Sequence, residues 1–367
     1  MTDAYSVAGV DYAILDSAKR LAIDFAGATL GEPAEEGATV MRASIGEPAT
    51  LIEIGGLMLA VVLECVGTKS MIAREVEDAL GLDRWDAVGI DAVAAIVNDI
   101  ASVGAVPLSL NAYFATGSAG WYAGSRHRSL VTGWASACAS VGAAWVGGES
   151  PTLAGLVDAE QIDIAGSALG RVPDGKDPFL GGRLEPGDEI VLISSTGLHA
   201  NGASIARALA SSPDRCPGGW AERLPSGRAF GDAVLDPSAL YPALVEEMFE
   251  NDVAVHYASH VTGHGWRKLM RAERDLTYVI RALPDVPEVL TFMVERAGLE
   301  PREAYATLNM GAGFSLFVAK GAGQAAVAAA GEAGYRALVA GVVEGGSRRV
   351  VLEPISVTYD SSELELR

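Results

Sequence analysis

Residues 51–64, LIEIGGLMLAVVLE, contain two apolar runs on either side of the paired glycines Gly55 and Gly56. Such runs around a glycine pair predict a β-hairpin. The later segment Val88–Ala105 has apolar residues at helical spacing, which predicts a helix. The sequence then predicts a strand in VPLSLNAYFATG, a helix over Ser129–Val141 and a strand in AAWVGGE. This alternation of strands and helices predicts an α/β protein.

A segment rich in Gly, Pro and Asp, RVPDGKDPFLGGRLEPGDE, interrupts this alternation between Arg171 and Glu189. Segments of this composition commonly separate domains. We therefore predict an N-terminal domain over residues 1–172 and a C-terminal domain over residues 173–367. The second half opens with a strong strand pattern, EIVLISSTG, followed by a glycine-containing loop and a helix.

The composition is that of a folded, acidic protein. Hydrophobic residues make up 50% of the chain, and 27 Lys and Arg stand against 47 Asp and Glu, a formal net charge of −20. This charge argues against nucleic-acid binding, which needs a basic face. The three cysteines include no CxxC pair, so neither a zinc site nor a disulfide framework is predicted. The sequence shows no signal-peptide pattern, and its longest apolar stretch, residues 55–63, is too short for a bilayer. We expect a cytoplasmic protein without membrane partners.

Two polar clusters in the first half suit a magnesium–nucleotide complex. ECVGTK places the acid Glu64, a glycine turn, a hydroxyl and the cation Lys69 within six residues. The carboxylate can hold a metal while the lysine faces phosphate, although alone the segment fits an ordinary hairpin exit better. GIDAVAAIVNDI carries Asp91 and Asn98 on one helical stripe, with Asp99 beside them. Oxygen ligands on one side of a helix suit Mg²⁺, but a solvated helix face explains the spacing equally well.

Two more clusters follow predicted strands. In WVGGES, Glu149 comes after two glycines, where a carboxylate is well placed for a metal or ligand, with a plain turn as the alternative. In STGLHANGAS, His199 and Asn201 stand at the head of a helix, whose exposed N–H groups favour a bound phosphate. His199 can also move protons near neutral pH, although a lone histidine is more often structural. Two further glycine turns, HVTGHG and NMGAGF, could cradle phosphate.

The order of these motifs is more informative than any one of them. The sequence has no P-loop, no GxGxxG opening a helix after the first strand and no GxSxG elbow. Instead, YSVAGVD is followed by VGTK, GIDxVAxxVNDI, GAxPL, YFATG, VGGE, DIAG, GLHxNG, VHxxxHVTGxG and NxGxGF. In this order, from Tyr5 to about Glu353, the chain resembles the aminoimidazole ribonucleotide (AIR) synthetase family, also called phosphoribosylformylglycinamidine cyclo-ligases.

The resemblance implies a two-domain α/β (α+β) fold with a C-terminal mixed α/β domain. It also implies a homodimer, in which the N-terminal domains pair into a β-barrel at the interface. The implied reaction is the ATP- and Mg²⁺-dependent closure of the imidazole ring of formylglycinamidine ribonucleotide, a step of purine biosynthesis. In it, ATP phosphorylates the formamide oxygen, an amidine nitrogen attacks the carbon, and phosphate leaves.

Three groups of site residues follow from the resemblance. The expected Mg²⁺ ligands are Glu64, Asp91, Asn98, Asp99 and Glu149. The expected ATP-binding residues are Glu64, Gly67, Thr68, Lys69, Asp91, Asn98, Gly148 and Glu149. The ribonucleotide side is expected to include His199, Asn201, Gly202, Thr262, Gly263, Asn309 and Gly311. Among these groups, His199, Asn201 and Lys69 are the expected catalytic residues, and His199 is expected to move a proton during cyclisation.

The chain also departs from the family pattern. Glu64-Cys65 stands where Asp-Gly usually precedes VGTK, and RASIGEPATL replaces a glycine-rich stretch before the first strand. Four positions carry single replacements. Asn111 replaces an Asp, Thr152 a Glu, Ala200 a Ser, and His264 the middle glycine of TGGG. Because most departures lie on the expected ATP side, two alternatives stay open. One is a paralogue that uses ATP on another amide, amidine or small acceptor; the other is a non-catalytic nucleotide-binding dimer.

Overall fold

The computed structural model describes the backbone of residues 12–364 and the side chains of residue 18 and of residues 21–364. The YSVAGVD motif, residues 5–11, lies outside the described residues. The chain forms two mixed sheets with helices packed against them, so the predicted two-part α/β organisation is confirmed at this level. None of the helices within residues 12–364 has the length and apolar character that a membrane span requires.

The first half forms a six-stranded sheet with the order β1-β2-β3-β6-β4-β5. All neighbouring strands are antiparallel except β4 and β5, which are parallel. The strands are β1 (Ala38–Val40), β2 (Thr50–Ile54), β3 (Leu57–Cys65), β4 (Val106–Thr116), β5 (Ala144–Glu149) and β6 (Ile162–Val172). The helices are α1 (Tyr12–Gly27), α2 (Lys69–Leu80), α3 (Trp85–Ser102) and α4 (Ser125–Ser140).

The second half forms a seven-stranded sheet with the order β13-β12-β9-β11-β7-β10-β8. Its strands are β7 (Glu189–Ser194), β8 (Val255–His260), β9 (Leu276–Ile280), β10 (Ala312–Val318), β11 (Ala337–Gly345), β12 (Arg349–Leu352) and β13 (Val357–Asp360). Its helices are α5 (Ala203–Ala210), α6 (Phe230–Val234), α7 (Pro242–Glu250), α8 (Glu288–Ala297), α9 (Pro301–Thr307) and α10 (Gly323–Glu332). A short 3₁₀ helix, Gly265–Met270, follows β8.

The central helix α3 is buried on almost every side. Most of its residues are apolar and buried, as in a helix enclosed by a protein core. One side packs on the first sheet and another on α4, while further contacts reach β8 and α7 of the second half. The approach to α4 is close because a side chain on Gly89 or Gly133 would collide with the main chain of the other helix. The polar residues of α3 are thereby held at the junction between the halves.

The local predictions from periodicity are confirmed with small shifts at their ends. The hairpin of residues 51–64 is formed by β2 and β3 in antiparallel register. The helix predicted over Val88–Ala105 spans Trp85–Ser102, because Gly104 adopts a left-handed φ of 77° and turns the chain. The helix predicted from Ser129 begins at Ser125, since its first turn, SRHR, has no apolar residue to reveal it. The first sheet ends at Val172 and the second begins at Glu189.

Candidate functional site

A cleft of about 550 Å³ lies between the two halves. The first half contributes the end of β3, one side of α3, residues 46–48 and residues 22–23 of α1. The second half contributes the loop 199–201 and the turn 262–264 that follows β8. The volume is in the usual range for small-molecule sites. Because both halves supply walls, the cleft exists only when they are packed together.

A carboxylate and an imidazole from opposite halves meet in this cleft. Asp99, near the end of α3, and His260, the last residue of β8, lie 2.8 Å apart between Oδ1 and Nδ1. Burial lowers the pKa of His260, although the Asp99 carboxylate acts to raise it. The imidazole is therefore neutral near pH 7, donates from Nδ1 to Asp99 and carries its lone pair on Nε2. A histidine oriented in this way by a carboxylate can act as a general base.

The second histidine of the cleft, His199, has a different electrostatic state. Its Nε2 accepts a hydrogen bond of 3.1 Å from the main-chain N–H of Thr196. Burial lowers the pKa of His199 to about 3, and the electrostatic effects of His260 and Lys69 act in the same direction. The ring is therefore neutral with its hydrogen on Nδ1, and this atom has no hydrogen-bond partner among residues 12–364. The arrangement suits donation of a hydrogen bond to a bound molecule better than uptake of a proton.

The loop that carries His199 is held by Asn309. The amide Nδ2 of Asn309 donates to the carbonyl oxygens of Gly197 (2.8 Å) and Leu198 (3.2 Å). Its Oδ1 accepts from the Ser195 hydroxyl (2.8 Å) and the Gly311 N–H (3.0 Å). The side chain thus uses its hydrogen-bonding groups within the protein. His199 itself has a left-handed φ of 60°, which a non-glycine residue adopts only when its surroundings enforce it.

Three residues predicted on the ATP side have partners across the junction of the halves. Lys69 and Asp91 form an ion pair with both side chains fully buried. Asp91 Oδ1 also accepts from the N–H (2.7 Å) and hydroxyl (2.6 Å) of Ser238. Asn98 donates to the Ala239 carbonyl oxygen (2.9 Å) and accepts from the Tyr241 N–H (2.8 Å). Asp91 and Asn98 therefore join α3 to the segment before α7.

The cleft brings together a part of the predicted site. Predicted residues that line it are Glu64, Asn98, Asp99, His199, Asn201, Thr262 and Gly263. Gly67 and Thr68 lie at the start of α2, and Gly202 begins α5 with a φ of 95°. Gly148 and Glu149 lie instead on a separate surface beside Trp145, at the edge strand β5.

The five predicted Mg²⁺ ligands are spread over the first half. Glu64 is next to Cys65 on β3. Across the sheet, Cys65 pairs with Ala165 of β6, Ala165 with Tyr113 of β4, and Tyr113 with Glu149 of β5. Three strand spacings separate these positions by about 14 Å, whereas Mg²⁺ ligands lie about 2.1 Å from the ion. The part of the chain that the structure describes contains no group of three or more His, Cys, Asp and Glu placed to hold a metal. The five residues do not fit one ion in this arrangement, and the Mg²⁺ site stays a prediction.

Several cleft residues were not singled out by the sequence. Glu47, in the segment RASIGEPATL, accepts a hydrogen bond of 3.2 Å from the Tyr257 hydroxyl and lies 3.4 Å from Nε of Arg271. Lys268 donates from Nζ to the Thr262 hydroxyl. Glu47 and Arg271 are more than 200 positions apart, so no local pattern connects them. His260 was visible, but only within the glycine turn HVTGHG.

Both halves match family models. Residues 46–172 match the model of the AIR synthase related protein, N-terminal domain, and residues 185–353 match that of its C-terminal domain. A phosphoribosylformylglycinamidine cyclo-ligase of Methanothermobacter thermautotrophicus is 33% identical over 281 residues, which cover 75% of this chain and 77% of that protein. A protein of the same name from Anaeromyxobacter sp. (strain K) is 38% identical over 284 residues, with coverage of 77% and 79%.

Solved structures share the fold at lower identity. A chain of the HypE-HypF complex has a TM-score of 0.60 and 20% identity, covering 86% of this chain and 92% of its own. The hydrogenase maturation protein HypE in complex with ATP has a TM-score of 0.58 and 19% identity, with coverage of 82% and 83%. At these identities the likeness concerns the fold alone.

Proposed function

The chain belongs to the AIR synthase related protein family, and from this premise we propose that it is an ATP-dependent cyclo-ligase. The proposed reaction closes the imidazole ring of formylglycinamidine ribonucleotide and gives AIR, ADP and phosphate. The main support for this proposal is the Asp99–His260 pair. It lies with His199 in one cleft, to which both halves contribute. The names of the relatives at 33% and 38% identity agree with it.

The cleft residues suit the proton transfer that ring closure requires. Activation of the formamide oxygen by phosphoryl transfer is the chemistry that ATP supplies. Ring closure then forms a C–N bond, releases phosphate and removes a proton from the attacking amidine nitrogen. We assign this proton to Nε2 of His260, because Asp99 holds the other nitrogen of the ring. His199 is assigned to catalysis as a neutral donor from Nδ1, with Asn201 beside it in the cleft.

Two groups of residues suit the two substrates. Thr262 and Gly263 lie beside Lys268 and Arg271, and these donors suit the phosphate of a ribonucleotide. Glu64 lines the cleft from the end of β3, and with Gly67 and Thr68 it forms the proposed ATP side. We also keep the prediction that Gly148 and Glu149 contribute to ATP binding. Lys69, Asp91 and Asn98 already have protein partners. We propose that they have a structural role and stabilise the ATP side of the cleft.

Release of ADP tests the proposed function. Purified protein with Mg-ATP is expected to release ADP only when formylglycinamidine ribonucleotide is added, with AIR formed in equal amount. Substrate-dependent ADP with another amide or amidine, but not with this one, would favour the paralogue. Binding of ATP without turnover on any such substrate would favour the non-catalytic binding protein. A cytoplasmic location stays a prediction from the sequence.

We further propose that the first half pairs with a second copy, as the β-barrel prediction requires. The face of the first sheet that points away from α3 exposes Leu57, Val61 and Leu63 of β3, and Leu63 is 75% exposed. Contiguous apolar surface of this kind commonly marks an interface. A continuous apolar face on a sheet favours a partner that covers it with a similar sheet.

Replacing Leu63 by Glu is therefore expected to convert a dimer into a monomer, because a carboxylate would be buried at the centre of the interface. Sedimentation velocity on the wild-type and variant proteins measures this change. Leu82→Glu, on the loop between α2 and α3, is the matched control, since Leu82 is also an exposed leucine. A wild-type monomer, or a Leu63→Glu dimer, would contradict the proposal.

A further inference from the structure

His264 adopts a backbone conformation that favours glycine. Its φ is 70° and its ψ is 0°, in the left-handed region that L residues other than Asn, Asp and His seldom enter. The next residue packs closely against the neighbouring main chain, because a side chain on Gly265 would collide with Tyr305 and Ala306. A glycine here would fit without strain.

The imidazole of His264 belongs to the cationic end of the cleft. The residue lines the cleft and is 5% exposed. Lys268, one turn later, donates to the hydroxyl of Thr262, and Arg271 follows on the same short segment. Glu47 balances one of these charges through Arg271. Backbone strain at a ligand-facing position points to a functional reason for the side chain.

We propose that His264 is a specificity-determining residue that binds the phosphate monoester of the substrate. The inference rests on the proposed function, since it assigns the phosphate end of the ribonucleotide to the turn 262–264. The imidazole adds a hydrogen-bond donor to those of Lys268 and Arg271, and a phosphate has enough oxygens to accept from all three. A glycine relieves the strain but removes this donor, so the substitution is expected to weaken binding of the phosphate.

The variant His264→Gly tests this binding role. Ribose 5-phosphate is the probe, unphosphorylated ribose is the comparison ligand, and both are titrated by calorimetry. His264→Gly is expected to bind ribose 5-phosphate about tenfold more weakly than wild type does. With the full substrate, KM is expected to rise by a similar factor while kcat changes little.

Two further variants make the result specific. Ser356→Gly is the matched control, because Ser356 is an exposed non-glycine residue at a φ of 53°. It is expected to relieve strain without any change in ribose 5-phosphate binding. His264→Asn is expected to recover part of the affinity, since Asn tolerates the left-handed region and retains an N–H donor.

Two results would overturn the inference. They are equal binding of ribose and ribose 5-phosphate by wild type, and an unchanged affinity of His264→Gly for ribose 5-phosphate. Failure of the proposed function is distinguishable, because it appears as absent substrate-dependent ADP release while the effects on ribose 5-phosphate binding persist.

Discussion

Replacing Lys69 by Met is expected to lower the free energy of unfolding by about 3–5 kcal/mol. Lys69 and Asp91 have fully buried side chains, and the ammonium group is the cation paired with this carboxylate. Removing it leaves a carboxylate in the core with the two hydrogen bonds from Ser238 as its remaining described support. A charge without a counter-ion in such surroundings is strongly destabilising. Urea unfolding, with the midpoint and slope both fitted, measures the change.

Two variants test the explanation. Lys69→Met combined with Asp91→Asn is expected to recover most of the loss, because the buried pair becomes neutral and the amide oxygen still accepts from Ser238. Lys320→Met, at an exposed lysine, is the matched control and is expected to change stability by less than about 0.5 kcal/mol. If Lys69→Met keeps its stability and loses only ATP affinity, Lys69 faces phosphate as the resemblance implies, and the structural role proposed here is wrong.

Replacing His260 by Ala is expected to lower kcat by about 100- to 10,000-fold, the usual contribution of a positioned general base. The substitution removes Nε2, to which we assign the proton of the attacking nitrogen. Because burial lowers the pKa of His260, the acid limb of the wild-type kcat profile is expected below pH 6.5, the ordinary value for histidine. Steady-state ADP release between pH 5 and 9 measures both effects.

The controls for His260 come from its own strand and from its partner. His256, on the same strand, lies 2.8 Å from Asp188 and outside the cleft, so His256→Ala is expected to keep kcat even where it lowers stability. Asp99→Asn is expected to reduce kcat while leaving Nε2 in place, since the amide holds the imidazole less well. An unchanged kcat in His260→Ala, measured on folded protein, would remove the histidine from the mechanism.

Periodicity in the sequence was enough to predict the main local elements. The glycine pair at Gly55-Gly56 predicted the β2–β3 hairpin, because turn geometry and alternating burial are both local properties. The helix around Asp91 and Asn98 was predicted for the same reason. Its exact ends were not, because the last turn is decided by Gly104 and its contact with Phe179, which lies 75 positions later.

The partners of polar residues could not be predicted in this way. Lys69 was interpreted as a residue facing phosphate, but its burial depends on Asp91 and on main-chain groups near residue 236. The hydrogen bonds of Asn98 join groups more than 140 positions apart. His260 was quoted as part of a glycine turn, and its pairing with Asp99 became visible only when β8 was placed against α3. Contacts between distant segments leave no periodic signal in either segment.

Where α3 meets residues 238–241, the two halves contribute different kinds of chemical group. On the α3 side, Asp91 and Asn98 contribute through their side chains. Their hydrogen-bond partners in the second half are mainly main-chain groups: the N–H groups of Ser238 and Tyr241 and the carbonyl oxygen of Ala239. Nearly every amino acid supplies these groups. Substitutions are therefore expected to be tolerated at positions such as Ala239, as far as packing allows, while Asp91 and Asn98 are constrained. At this part of the junction the side-chain contribution comes mainly from α3.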